Sequence, residues 1–124
     1  MAWTFKDDRP IYFQLMEQIK LGIVSGMWQP GTKLPSVREL AQEAGVNPNT
    51  MQRAMSDLER EGLVYSKRTS GRYITEDSTM IEGIREVIAK ENINNFIESM
   101  KRLGFTSEQT LSVFIKTIEG GENQ

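Results

Sequence analysis

GTKLPSVRELAQEAGVNPNTMQRAMSDLEREGLVYSKRTSGRYIT, residues 31–75, holds two helix starts, two helix stops and two short β-rich runs in one window. Ser36 precedes an apolar pattern with Glu39 three residues on, the spacing of a capping box that satisfies the open amides of a first helical turn. Val37, Leu40 and Ala41 form the inner face of that helix, and Ala44-Gly45 closes it. Asn47 followed by Pro48 is a second start, an Asn cap with proline at the first helical position, where a missing N–H costs nothing. Met51, Ala54, Met55 and Leu58 point inward from this second helix, which stops near Glu61-Gly62. Two helices separated by about three residues with a glycine between them make a helix-turn-helix. Leu63-Val64-Tyr65 and Arg72-Tyr73-Ile74 flank Lys67-Arg68-Thr69-Ser70-Gly71 and pair as a hairpin, whose cations Lys67, Arg68 and Arg72 suit phosphates.

Upstream, Pro10 opens a segment in which Ile11, Leu15, Ile19 and Ile23 recur every four residues, with Tyr12, Phe13 and Met16 widening the apolar face and Ser25-Gly26 ending it. This is a core-facing support helix, followed by an extended connection through Pro30-Gly31. Downstream of Thr75 the pattern changes to long helices. Met80, Ile84, Val87 and Ile88, then Phe96, Ile97, Met100 and Leu103, lie at helical steps, with a weak point at Asn92, Asn94 and Asn95. Gly104 ends that helix, Thr106 with Gln109 makes another capping box, and Leu111, Phe114, Ile115 and Ile118 line a last helix before a fraying GGENQ tail. The expected fold is mostly α with a small β-wing: a winged helix-turn-helix DNA-binding domain over residues 1–76, then a C-terminal helical hairpin over 77–124. Two such helices enclose little core alone, so their faces must pack on a second copy of the chain or dock on their own domain.

Composition narrows the function. With neither cysteine nor histidine in 124 residues, zinc sites and Ser-His or Cys-His nucleophiles are excluded, and no metal or cofactor is expected. Neither common phosphate-loop pattern is present. Catalysis would rest on pairs such as Asp7-Asp8 or Glu59-Glu61, which read as solvated surface, so the chain is not expected to be an enzyme. No apolar run approaches a membrane span, and MAWTFKDDRP lacks the features of a signal peptide, which predicts a cytoplasmic protein. The net charge of −2 divides unevenly: residues 1–75 carry +2 and residues 76–124 carry −4. The positive share lies with the helix-turn-helix, so attraction to nucleic acid must rest on where the cations sit.

With these residues in view, the chain resembles the GntR family of bacterial winged helix-turn-helix transcription regulators over residues 10–75. PIYFQLMEQIKLGIVSG, the PGTKLPSVRELAQEAGVNPNT block and LEREGLV carry the resemblance. The short acidic helical tail resembles the YtrA-type branch, in which a small C-terminal region serves dimerisation. The resemblance implies that Arg38 meets DNA near the start of the second helix. It also implies that Asn47, Asn49, Thr50, Gln52 and Arg53 front a recognition helix in the major groove, and that Gly71 and Arg72 reach toward the minor groove. Two departures stand out. Pro48 replaces a small or basic residue, and Thr69-Ser70-Gly71-Arg72-Tyr73-Ile74 replaces a wing of the type Gly-x-Gly-Thr-Phe-Val.

Chemistry supports part of this assignment independently. Asn49 and Gln52 suit adenine and Arg53 suits guanine, Thr50 and the helix start suit a phosphate, and Asn47 is already explained as a cap. The expected DNA-binding set is Ser36, Arg38, Asn47, Asn49, Thr50, Gln52, Arg53, Lys67, Arg68, Gly71 and Arg72. The expected dimerisation set is Ile84, Val87, Ile88, Phe96, Ile97, Met100, Leu103, Leu111, Phe114, Ile115 and Ile118. The partners expected are double-stranded DNA and a second copy of the chain, giving a homodimeric repressor of a pseudo-palindromic operator. The alternative is a winged-helix module that binds protein, which would have no need for clustered cations. A small-molecule effector is open: Met80, Met100, Phe105 or Phe114 could line an interface cleft, although Met and Phe at helical spacing usually pack a core.

Overall fold

The computed structural model describes residues 1–122, in five helices and two strands. In chain order these are α1 (Ile11–Val24), α2 (Val37–Ala44), α3 (Pro48–Arg60), β1 (Val64–Lys67), β2 (Gly71–Ile74), α4 (Ser78–Arg102) and α5 (Ser107–Glu122). None of the described helices is long and apolar enough to cross a membrane. The chain divides into two compact units, Met1–Ile84 and the residues from Arg85 onward.

In the first unit the expected caps form. The Ser36 hydroxyl accepts from the Glu39 amide at 3.1 Å, although the Glu39 carboxylate accepts from that hydroxyl instead of the Ser36 amide, so the expected box is half-formed; Gly45 ends α2 in the left-handed conformation (φ 72°) that a side chain would disfavour. Asn47 Oδ1 accepts from the Asn49 amide at 2.7 Å, with Pro48 opening α3. α1 and α2 both pack on α3, and α3 packs on β1. Leu15, Ile19, Ile23, Leu40, Met51, Met55, Leu58, Leu63, Val64 and Ile74 form the core.

β1 and β2 pair antiparallel with Val64 opposite Ile74, Tyr65 opposite Tyr73, Ser66 opposite Arg72 and Lys67 opposite Gly71. The extended connection adds to this sheet: Gly31 donates to Ile74 O, Ile74 to Thr32 O and Leu34 to Arg72 O, each at 2.9 Å. Lys33 thereby forms a bridge with Tyr73.

Two details of α1 differ from its periodicity. Ile11 and Phe13 are exposed, whereas Gln14 is buried. The Gln14 amide donates to Lys6 O and Arg9 O, both at 2.8 Å, and its oxygen accepts from the Lys6 amide at 2.7 Å. One turn on, Gln18 exchanges two hydrogen bonds with the backbone of Thr4. The segment before Pro10 thus lies along α1, and a glutamine satisfying three backbone groups can occupy a core position.

The start of α4 belongs to the first unit. Asp77 Oδ1 accepts from the Met80 amide at 3.1 Å, Ile81 is buried, and the methyl of Met80 lies against Gly62.

The second unit continues α4 without interruption through Asn92, Asn94 and Asn95, where the sequence suggested a weak point. Asparagine costs a helix only a fraction of about 0.7 kcal/mol per residue, too little to break it. Thr106 and Gln109 form the expected reciprocal cap, with N···O distances of 2.9 and 3.1 Å. Gly120, Gly121 and Glu122 continue α5 instead of fraying, since glycine weakens a helix but keeps its amide donor. Asn123 and Gln124, the rest of that expected tail, lie outside the described residues. Phe96 and Phe114 meet with ring centroids 5.9 Å apart, beside a groove of about 240 Å³ lined by Ile93, Ile97 and Leu111. Val87, Phe96, Leu103, Leu111, Phe114, Ile115 and Ile118 are exposed in the single chain, while Ile88, Ile97 and Met100 are half-buried.

Candidate nucleic-acid interface

The site begins with α3, whose two faces divide cleanly. Met51, Ala54, Met55 and Leu58 are buried, so the same helical period turns Asn49, Gln52 and Arg53 to solvent, with Thr50 half-buried. The Gln52 amide donates to Ser56 Oγ at 3.1 Å, leaving its oxygen available to a base. The Arg53 guanidinium lies 4.0 Å from the centre of the Tyr12 ring, a cation–π contact that holds it against α1. Asn47 spends its oxygen on the cap.

Ser36, the cap of α2, and Arg38, in the helix's first turn, are exposed; Arg38 has no acidic partner among the described residues. A groove of about 530 Å³ separates this helix start from the wing and brings Ser36, Gly71 and Arg72 together with Lys33 and Ser70. Lys33 was not anticipated. It stands in a connection with no periodic signal, and only its bridge to Tyr73 places it beside Gly71.

The wing presents two unlike faces because side chains alternate along a strand. On the outer face Tyr65 and Tyr73 stack with centroids 5.9 Å apart, and the Lys67 ammonium lies 4.3 Å from the Tyr73 ring. On the other face Arg72 Nε donates to Glu59 Oε1 at 3.1 Å, and Ser66 Oγ donates to the same oxygen at 2.7 Å. These two bonds, Ser66 first, hold the Glu59 carboxyl below its ordinary value. Arg72 is thus turned toward α3, whereas Arg68, in the loop, is exposed and has no acidic partner among the described residues. Beside it Thr69 adopts φ 61°, in the left-handed region. Among the described residues no group of three or more His, Cys, Asp or Glu side chains could hold a metal ion.

A helix-turn-helix with an exposed polar front, backed by a cation-bearing hairpin, is the architecture of a winged-helix transcription regulator. Residues 11–74 match the family described as bacterial regulatory proteins, gntR family, and the chain belongs to it. The chain is 39% identical over 117 residues to the HTH-type transcriptional regulator YhcF of Bacillus subtilis, covering 94% of this chain and 97% of that one. It is 40% identical over 115 residues to the HTH-type transcriptional repressor YtrA of the same organism, covering 91% of this chain and 87% of that one. A solved GntR family transcriptional regulator from Listeria monocytogenes superposes with a TM-score of 0.82 at 43% identity, covering 90% of this chain and 98% of that one. The protein is a GntR-family DNA-binding transcription regulator and not an enzyme.

Proposed function

We propose that the chain acts in the cytoplasm as a homodimeric repressor of a pseudo-palindromic operator, with α3 of each copy in the major groove and the wing on the backbone or minor groove. The observation that carries this reading is the front of α3, where Asn49, Gln52 and Arg53 stand exposed on a helix whose other face is fixed in the core. Asn and Gln address adenine, and Arg addresses guanine. Arg38, Lys67, Arg68 and Lys33 supply sequence-independent attraction to phosphates. Repression follows the function named for the related YtrA.

Dimerisation rests on the second unit. Leu111, Phe114, Ile115 and Ile118 of α5 and Val87, Phe96 and Leu103 of α4 are exposed in one chain, and large apolar side chains gathered on two helices are the kind of surface that a partner covers. The groove beside Phe96 and Phe114 is smaller than the roughly 300–1,000 Å³ of ligand pockets, and a second copy is the occupant that its helical lining fits. Half-sites then lie about 34–36 Å apart.

The test is mass in solution, with and without a duplex that the chain selects from a random pool, for the unsubstituted chain and for Leu111→Glu with Ile115→Glu. Both residues are exposed in the single chain, so the charges fall mainly on an interface, and unchanged helical content by circular dichroism checks that the hairpin still folds. A dimer that binds specifically and a substituted monomer that binds weakly are expected. A monomeric unsubstituted chain overturns the symmetric reading.

A further inference from the structure

We infer that Glu59 is a positioning residue that fixes the wing on the recognition helix, and that Arg72 acts through Glu59 instead of touching DNA. The inference rests on the reading of the chain as a DNA-binding regulator. Ser66 and Arg72 are opposite each other across the hairpin, one on each strand. A single oxygen of Glu59 accepts a hydrogen bond from both. One carboxylate in the last turn of α3 therefore holds both strands at once, and it does so from the helix that carries Asn49, Gln52 and Arg53. Lys67 and Arg68 follow Ser66 directly, so the angle set at Ser66 is passed to the cations of the loop.

The arrangement also explains the direction of Arg72. Its alternation places it on the α3 side of the hairpin, opposite to Tyr65, Lys67 and Tyr73, and its side chain is only 21% exposed. A guanidinium already paired in this way would have to give up a charge-assisted bond to reach a phosphate. Its cross-strand position lets it transmit force between wing and helix instead.

The two roles predict opposite signs. A direct phosphate contact restrained by Glu59 gains when the carboxylate is removed; a positioned wing loses. The experiment measures affinity for the selected duplex across a salt series for the unsubstituted chain, Glu59→Ala, Arg72→Ala, the double variant and Glu59→Gln. Glu59→Ala and Arg72→Ala should each weaken binding about tenfold, and the double variant should be no weaker than the worse single. The slope of log affinity against log salt should stay unchanged. Glu59→Gln, which keeps an acceptor oxygen, should restore most of the affinity.

A readout without DNA accompanies it. The Arg72 Nε–H should exchange with water more slowly than that of Arg68, and as fast as Arg68 in Glu59→Ala. Tighter binding by Glu59→Ala, a slope reduced by about 0.9 in Arg72→Ala, or fast exchange at Arg72 in the unsubstituted chain would each overturn the inference. Failure of the regulator reading looks different: the unsubstituted chain would show no sequence preference, and both readings would fall.

Discussion

Thr69 adopts φ 61°, the one described residue other than glycine with positive φ, and it is β-branched. Replacing it with glycine should stabilise the protein. A side chain in the left-handed region pushes Cβ against the following carbonyl at a cost of about 1–2 kcal/mol, which Thr69→Gly removes. Against this, glycine loses about 0.5–1 kcal/mol more conformational entropy on folding. The hydrogen bond from the Thr69 hydroxyl to Arg68 O also disappears, but it spans one residue on an exposed loop and water replaces it. The balance is a gain of about 0.5–1 kcal/mol.

For a unit of this size about 1 kcal/mol moves the unfolding midpoint by roughly 4–8 °C, so a rise of about 2–8 °C is expected by circular dichroism. Thr69→Ala separates this cause from others. Alanine keeps Cβ and therefore keeps the clash, so it should give little or no rise. If Thr69→Ala stabilises as much as Thr69→Gly, the gain comes from losing the threonine side chain and not from the backbone. If Thr69→Gly lowers the midpoint, the left-handed conformation carries no cost at this position and the reasoning fails.

Three further outcomes follow from contacts of similar specificity. Tyr12→Leu should preserve the helix but release Arg53 from the ring 4.0 Å away, so sequence discrimination should fall while binding to random duplex stays constant; equal loss on both would assign Tyr12 a purely structural role. Gly22→Ala should destabilise by about 1–2 kcal/mol, because the new methyl would sit 2.7 Å from the rigid ring of Trp28, and the shift should register in tryptophan fluorescence; an unchanged midpoint and spectrum would place Trp28 elsewhere. The depressed Glu59 value means that its charge stabilises the fold above the ordinary value of 4.5 and that this contribution disappears as the pH falls through the lower folded value. The stability difference between the unsubstituted chain and Glu59→Gln should therefore hold at neutral pH and shrink only at acid pH below 4.5, and a difference independent of pH would deny the charge any part.

What the sequence displayed was whatever depends on neighbours along the chain. Ser36 with Glu39, Asn47 with Pro48, and Thr106 with Gln109 are contacts within one turn, so spacing alone announces them. The inner face of α3 is equally local, since a buried stripe repeats with the helix. What stayed hidden depends on residues far apart. Gln14 reads as polar until the backbone of Lys6 and Arg9 is seen to occupy it. Glu59 reads as exposed charge until the hairpin brings Arg72 and Ser66 to it, and Arg53 reads as a free cation until α1 offers Tyr12. Each of these is a partner choice, which periodicity does not encode. Net charge is equally blind to it, because a sum of charges does not show which of them cancel.

The pairing pattern resolves why a net +2 in residues 1–75 suffices for a DNA binder. Arg9 pairs with Glu17, Lys20 with Glu61, Arg60 with Asp57 and Arg72 with Glu59, so four cations and four acids neutralise one another locally. Six cations of residues 1–75 have no acidic partner among the described residues: Lys6, ahead of α1, and Lys33, Arg38, Arg53, Lys67 and Arg68, which all lie on the helix-turn-helix, its wing or the connection bridged to the wing. If all five of the latter meet phosphates, log affinity should fall with log salt with a slope of about −4.5 per subunit, and Arg53 reading a base instead would bring it to about −3.6. Measuring the slope for the unsubstituted chain and for Arg53→Ala tests this division. An unchanged slope with relaxed sequence preference assigns Arg53 to bases, and a slope shallower by about 0.9 assigns it to the backbone. A slope near zero in the unsubstituted chain would refute the premise that these five cations form the binding surface at all.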